Sequence, residues 1–338
     1  MRYLSASERA LSRNLWEEAF PEDSKAFTDY YFSEKIKDNE ILVLEDDGRI
    51  NAMLQRNPYT LQVKNEQWAV DYLVGVATRK TRRHRGYMRR LLEKMMDDMR
   101  NEHMPFGFLM PADEAIYRPF GFTFVFDQPY TEWREEGKLT KRTVQSEDML
   151  KQLALWMEQW LAAHAQVYAV RSPEYLKRLT VELASEQGAL QMVFDGERLI
   201  GAESFWGLDE RVLRLRYGED SYVWEMKPSK PAIMARIMDA ERFMSVISLR
   251  TETAEAEKTI LLRLTDPLIK ANDGLWNWTL TKTNSWIERA ADQTAEAELT
   301  LTVTELTAWL FGYEVPQHAS AFHHVVQPLK GVFLDEVV

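Results

Sequence analysis

The stretch that most constrains the fold of this 338-residue chain runs from Val74 to Met88, reading Val-Gly-Val-Ala-Thr-Arg-Lys-Thr-Arg-Arg-His-Arg-Gly-Tyr-Met. An apolar run stops, a basic loop with one glycine follows, and a periodic helix begins. Met88, Leu91, Leu92, Met95, Met96 and Met99 recur at the spacing of one apolar helical face. Strand, basic glycine loop and helix start form an arrangement that binds phosphate. First-turn amides lack carbonyl partners, and the macrodipole makes that end positive. Gly86 removes a side chain where a ligand would approach the backbone, and Arg82, Arg83 and Arg85 add charge. Without an anion the arginines are the wrong sign for a helix N-terminus, so a plain solvated loop is the competing reading.

The chain is too long for one compact core, so two or three domains are expected. No apolar run approaches membrane-spanning length and the N-terminus lacks a signal-peptide core, which predicts a cytoplasmic protein. With no cysteine there are no disulfides, thiolate nucleophiles or cysteine zinc sites. The formal net charge of −11 argues against a nucleic-acid partner, since phosphate backbones need a basic face. It suits a cationic substrate, while the basic loop suits an anionic cofactor. No Gly-x-x-x-x-Gly-Lys-Ser/Thr and no Gly-x-Gly-x-x-Gly occurs, which excludes the common kinase and dehydrogenase loops.

Residues 1–128 read as a mixed α/β unit. Ser5-x-x-Glu8 has capping-box spacing ahead of a helix to about Phe20, and helix returns over 27–37. Strands are expected over 41–45, 49–56, 60–63 and 67–76, the first two joined at Asp46-Asp47-Gly48. After the loop and its helix come a strand over 106–110, a short helix over 112–120 stopped by Pro119 and Gly121, and a strand over 122–126. Residues 129–228 open with linker-like sequence from Arg134 to Ser146. A long helix over 146–164, a helix opened by Ser172-Pro173-Glu174, and strands over 190–194, 198–205 and 212–217 follow. This unit has no second glycine-arginine loop. Lys227-Pro228-Ser229-Lys230-Pro231 is the clearest breaker. Residues 229–338 then read as helix over 232–243, strands over 259–264, 275–281 and 298–303, and a helix over 304–311 ended by Gly312.

Val76-Ala77-Thr78 followed by Arg83-His84-Arg85-Gly86-Tyr87-Met88 resembles the acetyl-CoA motif of the GNAT N-acetyltransferase superfamily. In that family a strand ending Val-Ala-Thr leads to an Arg/Gln-x-x-Gly-x-Gly/Ala loop whose amides hold the pyrophosphate. Met88 departs from the pattern, which has a small residue there. The resemblance implies acetyl-CoA as co-substrate, held by Val74, Val76, Arg82, Arg83, His84, Arg85, Gly86, Tyr87 and Met88, and no metal. Ile116-Tyr117-Arg118-Pro119-Phe120-Gly121-Phe122 resembles a segment of the enhanced intracellular survival (Eis) branch, in which the tyrosine is the general acid. On the residues alone Tyr117 reads as half-buried packing. Residues 231–239 resemble the start of that branch's sterol-carrier-like domain, and residues 306–313 a later helix of it. The fold implied is α/β (α+β), with tandem GNAT-type acyltransferase domains at 1–128 and 129–228 and a sterol-carrier-like α/β domain at 229–338.

The expected reaction is N-acetylation of an amine, of aminoglycoside or other polyamine type by resemblance. An alkyl ammonium of pKa about 10.4 must lose a proton before attack, and the departing thiolate, pKa about 8.5, must gain one. Tyr117 supplies that proton, and the backbone amides of Val74–Val76 polarise the thioester carbonyl. In the Eis branch the base is the C-terminal carboxylate, here Val338; a frayed terminus is what the residues alone suggest. Guesses for the acceptor site are Tyr30, Tyr31, Phe32, Tyr72 and Glu336. His84 is read as serving the anion and His103 as a capping or surface residue. His323-His324 is read as a pair on opposite strand faces, hence no metal site. The resemblance also implies a hexamer. The alternative function is a non-catalytic binding protein whose sterol-carrier-like domain takes an apolar ligand.

Overall fold

The computed structural model describes residues 1–46, 48–208 and 210–336, with residues 226–228 described by their backbone alone. The first unit runs β1 (Arg2–Tyr3), α1 (Arg13–Ala19), α2 (Lys25–Ser33), β2 (Glu40–Asp46), β3 (Arg49–Val63), β4 (Glu66–Thr78), α3 (Tyr87–Asn101), β5 (Phe106–Leu109), α4 (Glu114–Tyr117) and β6 (Thr123–Trp133). The second runs β7 (Thr140–Thr143), α5 (Glu147–His164), β8 (Val167–Ala169), α6 (Pro173–Ser185), β9 (Ala189–Asp195), β10 (Arg198–Trp206), β11 (Val212–Gly218) and β12 (Val223–Ile237). Last come α7 (Ala240–Met244), β13 (Ser248–Leu249), β14 (Glu257–Thr265), β15 (Gly274–Thr281), β16 (Ser285–Arg289), β17 (Leu299–Thr302), α8 (Val303–Leu310), β18 (Val326–Gln327) and β19 (Val332–Phe333).

Strands β1-β2-β3-β4-β5-β12-β6 lie side by side in that order, with β8 added to β3 and β19 to β8. The striped helix α3 buries Leu91, Leu92, Met95, Met96 and Met99 against Leu42, Leu54 and Leu73 of one sheet face. Each such side chain contributes about 1.5–3 kcal/mol on burial. The other face is covered by α1 and α2 through Trp16, Phe27 and Tyr31. The capping box forms, with Glu8 accepting from Ser5 N at 2.9 Å and Oγ at 2.7 Å. It opens a 3-10 stretch over Ala6–Ser12 rather than an α-helix, and α1 follows. The turn at 46–48 includes Asp47, which lies outside the described residues.

Three expectations need correction. The helix over 232–243 is instead the strand β12, and helix begins only at Ala240. Ala232–Ile237 is buried on both faces, so its apolar residues run on without alternating, and alanine and methionine made the run look helical. β12 lies antiparallel between β5 and β6. Both β6 and β12 therefore cross the expected divisions at 128/129 and 228/229. The linker over 134–146 contains β7, which pairs with β9. His323 and His324 lie in a turn rather than a strand, and Arg250 holds the His323 carbonyl and ring.

β3 is continuous through Pro58, where a break was expected. Its pairing with β2 ends at Arg56↔Glu40, and its pairing with β8 starts at Leu61↔Ala169. Pro58 therefore sits in a notch of the sheet edge where no neighbouring strand asks for an N–H.

The buried seam between the first sheet and the last unit is apolar, with Phe106 against Phe243 and Phe311, and it encloses one ion pair. Arg236 on β12 is fully buried and donates to Asp266 Oδ1 at 2.7 Å, the Phe120 carbonyl at 2.7 Å and the Ile237 carbonyl at 2.8 Å. Asp266 also accepts from the amides of Leu268 and Ile269 and from Asn272 Nδ2. Removing one partner of such a pair leaves an uncompensated buried charge. Asp266→Asn is therefore expected to cost about 3–5 kcal/mol, read as a lowered urea midpoint at unchanged m-value.

Candidate active site

Strands β4 and β5 pair in parallel at Asp71↔Gly107 and Tyr72↔Phe108. The pairing ends there although β4 runs on to Thr78. On the side facing β5, the backbone of β4 beyond Tyr72 has no strand partner among the described residues. In this free segment the register against β3 slips: Gln55 opposes Val74 and Met53 opposes Ala77, which puts two residues of β4, Gly75 and Val76, against one, Leu54. The result is a β-bulge, which re-aims backbone groups out of the ladder. Gly75 has φ 60. A Cβ there would lie 2.7 Å from the Trp16 ring, so both backbone and space demand glycine. Val74 and Val76 flank the bulge, half-buried at the mouth of the splay.

The chain leaves β4 through a 3-10 turn at Lys80–Arg82 and enters α3 at Gly86. Gly86 has φ 74 and a Cβ on it would meet nothing within 4 Å, so the glycine serves backbone conformation rather than crowding. It makes no side-chain cap, and the first turn of α3 carries no acid. The amides of that turn therefore have no competing anion on their own helix. Of the arginines, Arg79 is structural: it binds Glu18, Asn14 and the Ile50 carbonyl. Arg82 lies 3.9 Å from Asp46, Arg83 touches the Thr78 carbonyl at 3.4 Å, and Arg85 and His84 are exposed, His84 at φ 62. The side chains of Tyr87 and Met88 pack on the α3 core, leaving only their backbone for a ligand.

Tyr117 ends α4, 9% exposed, in the packed cluster that also holds Leu73, Leu109, Val76, Tyr87 and Met88. Its ring meets Phe122 edge-on at 6.0 Å. No hydrogen bond holds its hydroxyl among the described residues. Burial pushes the phenol up to about 12. The break that presents it is fixed from below: Arg236 holds the Phe120 carbonyl, and Gly121 at φ 79 lets the arginine pass beside it. The loop and Tyr117, far apart in sequence, thus share one side of the splayed strands. His103 follows α3 at φ 57 and faces Asp239 at 3.0 Å, beside Arg100.

Across the sheet a cavity of about 500 Å³ opens at the notch in β3. Asn57 and Tyr59 form its floor, Tyr175 and Glu182 of α6 one wall, and Lys35 and Arg214 lie opposite. Tyr59 is one ring from the splay: Tyr72 meets it at 6.1 Å and meets Phe108 at 5.2 Å, and the Met110 amide donates to the Tyr72 hydroxyl. Beside it, β19 pairs with β8 and leads to a buried clamp. Arg171 there binds Asp335, Glu336 at 2.5 Å and the Tyr217 hydroxyl at 3.1 Å, and Tyr217 donates to Asp335 at 2.7 Å. Burial raises the Glu336 carboxyl above its ordinary range against the opposing pull of Arg171. Val338 lies outside the described residues. Of the guessed acceptor residues, Tyr30 binds Glu182 and Tyr31 binds Gln55, both buried, so their hydroxyls are spent on structure. Sequence reading missed Lys35, Asn57, Tyr59 and Glu182. One signal was present, since Glu182 interrupts the apolar face Leu176, Leu179, Leu183 of α6.

Residues 1–125 match the family model of the acetyltransferase (GNAT) domain, and residues 241–332 that of the sterol carrier protein domain. Over the whole chain the fold resembles a protein of Enterococcus faecalis V583 described as a probable N-acyltransferase, with TM-score 0.76 and 13% identity over 98% of this chain and 99% of that one. A GCN5-related N-acetyltransferase of Anabaena variabilis matches at TM-score 0.73 and 14% identity over 97% and 94%. Eis1 of Mycobacterium abscessus matches at TM-score 0.70 and 11% identity, covering 99% of each chain. At such identities the likeness is one of fold. No protein of curated function matches this sequence. The mixed α/β fold and its sterol-carrier-like last unit are those expected, and the chain carries a GNAT-type acetyltransferase domain over residues 1–125 and a sterol carrier protein domain over residues 241–332.

Proposed function

We propose that the protein transfers the acetyl group of acetyl-CoA to a small-molecule amine by direct attack on the thioester. The observation that carries this is the bulged, unpaired end of β4 running straight into a basic, acid-free helix start. In this reading the pyrophosphate lies on the Arg82–Met88 loop, held by the α3 amides with Arg83 and Arg85, while the thioester carbonyl accepts from the backbone of Val74–Val76. The neutral amine attacks the carbonyl carbon: an N–C bond forms, the C–S bond breaks, the amine gives up a proton and the thiolate takes one. The products are the N-acetyl amine and CoA thiol, and no covalent enzyme intermediate is needed.

Tyr117 is the proton donor of this reading, and its free hydroxyl beside the loop residues supports the role. The proton acceptor is the α-carboxylate of Val338, a role taken from the resemblance; burial of the nearby Leu334, Asp335 and Glu336 agrees with it. The reading keeps three successive units, 1–128, 129–228 and 229–338, joined through β6 and β12, which run across their divisions, and a cytoplasmic homo-oligomer, a hexamer by resemblance, that meets neither nucleic acid nor membrane. The charge of −11 agrees, and no described helix is long and apolar enough to cross a membrane. The apolar-ligand alternative is not favoured: Trp278 and Trp309, fully buried with rings 6.3 Å apart, fill the core of the last unit.

Tyr117→Phe is expected to lower kcat about 10²–10³-fold with a melting temperature within about 2 °C of the parent, by CoA-thiol release and calorimetry. Wild-type turnover in that variant removes the tyrosine from the chemistry. The pH profile gives an independent check, because a donor works only while protonated. With the phenol pushed up to about 12, kcat/KM should climb as the amine, pKa about 10.4, deprotonates, and stay level to about pH 11. A decline setting in near pH 10 marks an unshifted phenol. Deleting Val338, or appending a short tag after it, should each reduce kcat about 10²-fold. Two variants of undiminished turnover exclude the carboxylate as base.

A further inference from the structure

The cavity at the β3 notch holds two buried charges, Lys35 and Glu182, that no opposite charge touches among the described residues. Lys35 is 6% exposed, and among the described residues its only hydrogen bond is donated to the Tyr59 hydroxyl at 3.1 Å. No carboxylate lies within 4 Å of it among the described residues. Burial pulls its pKa down, against the through-space pull of Glu182. Glu182, 4% exposed, accepts one hydrogen bond, from Tyr30 at 3.1 Å, and has no cation within 4 Å among the described residues. Asn57 is 1% exposed, and its Nδ2 is buried with no partner. All three line the same space. Of the other charges lining it, Arg178 pairs with Asp38, Arg214 donates to the Asp335 carbonyl at 2.8 Å, and Glu174 is exposed.

A buried ammonium, a buried carboxylate and an unmet amide donor each cost free energy until something pairs them. Lys35 and Glu182 do not pair with each other, so the missing groups are an anion at the Lys35–Asn57 end and a cation at the Glu182 end. We propose that this cavity binds an amino-acid-type zwitterion, its carboxylate on Lys35 Nζ and Asn57 Nδ2 and its ammonium on Glu182. Tyr59 and Tyr175 give the side chain of that ligand aromatic walls, and about 500 Å³ is room for a bulky one. A polyamine fits poorly, because it would set a cation against Lys35. The inference rests on the acetyl-transfer reading for its consequence, that the amine acceptor carries a carboxylate. The binding itself does not depend on that reading.

The test is calorimetric binding to the full chain without acetyl-CoA. The free amino acids are screened first. The tightest binder is then compared with its decarboxylated amine, its deaminated acid and spermidine. The expected result is an amino acid bound at least about tenfold tighter than all three, with Lys35→Met and Asn57→Asp each weakening it about tenfold or more. Circular dichroism on both variants verifies that they fold, and a misfolded one is replaced by Glu182→Gln, which should weaken the same ligand. No amino acid bound at millimolar concentration, or an amine or spermidine bound as tightly as the amino acid, overturns the proposal. CoA-thiol release with the same compounds is read separately. Binding without release leaves the zwitterion site standing and overturns only its consequence for the acceptor, whereas release with decarboxylated amines and no amino acid bound keeps the transfer reading and overturns the site.

Discussion

One buried ion pair, Arg236 with Asp266, and the strand that carries it tie the first sheet to the last unit. β12 closes the first sheet between β5 and β6, and its arginine reaches across into the last unit while holding the Phe120 carbonyl. Desolvation opposes a charge in such a place and lowers the guanidinium below its ordinary value, so the pair persists only because every donor is met. Sheet closure, the seating of the last unit and the presentation of Tyr117 therefore share one dependency. Proteins with separable modules do not show this; here the site is built from both sides of the joint.

Around that joint the two faces of the sheet are given different work. The α3 face presents an acid-free helix start and a basic loop on a protein that is acidic overall. The opposite face carries a polar cavity whose floor is an edge notch, made possible because Pro58 needs no partner where β2 has ended and β8 has not begun. Between the faces lies the bulge at Gly75, where β4 loses its neighbour. An acyl group held at such a point is open to a nucleophile from one side and to a proton donor from the other, which is what transfer without a covalent intermediate requires.

Much of this was legible in the chain because local rules and tertiary context agreed. The methionine stripe of α3, the helix starts at Ser146 and Ser172, and the loop glycine each obey short-range physics, and all lie where the residues put them. Tyr117 is singled out only through resemblance, since an isolated tyrosine carries no spacing. β12 was misread because a strand buried on both faces has no period of two, and Ala-Ile-Met-Ala suits a helix in isolation. β8 and β19 are too short to show a pattern, and they exist because each completes another segment's edge. The cavity was hidden for a further reason. Lys35, Asn57 and Glu182 come from three distant segments, and nothing in a linear spacing brings them together.

The threading of β12 has a consequence for how the polypeptide reaches its native state. During vectorial synthesis β5 and β6 emerge early, yet the strand that belongs between them is made only after the entire second unit has left the ribosome. Until then the nascent sheet has two unsatisfied edges facing each other, and closing it requires a long-range loop with its entropic cost. Nascent β5 and β6 are thus sticky surfaces for any extended segment nearby. A cell making this chain needs either rapid folding of the intervening unit or a chaperone that covers those edges meanwhile.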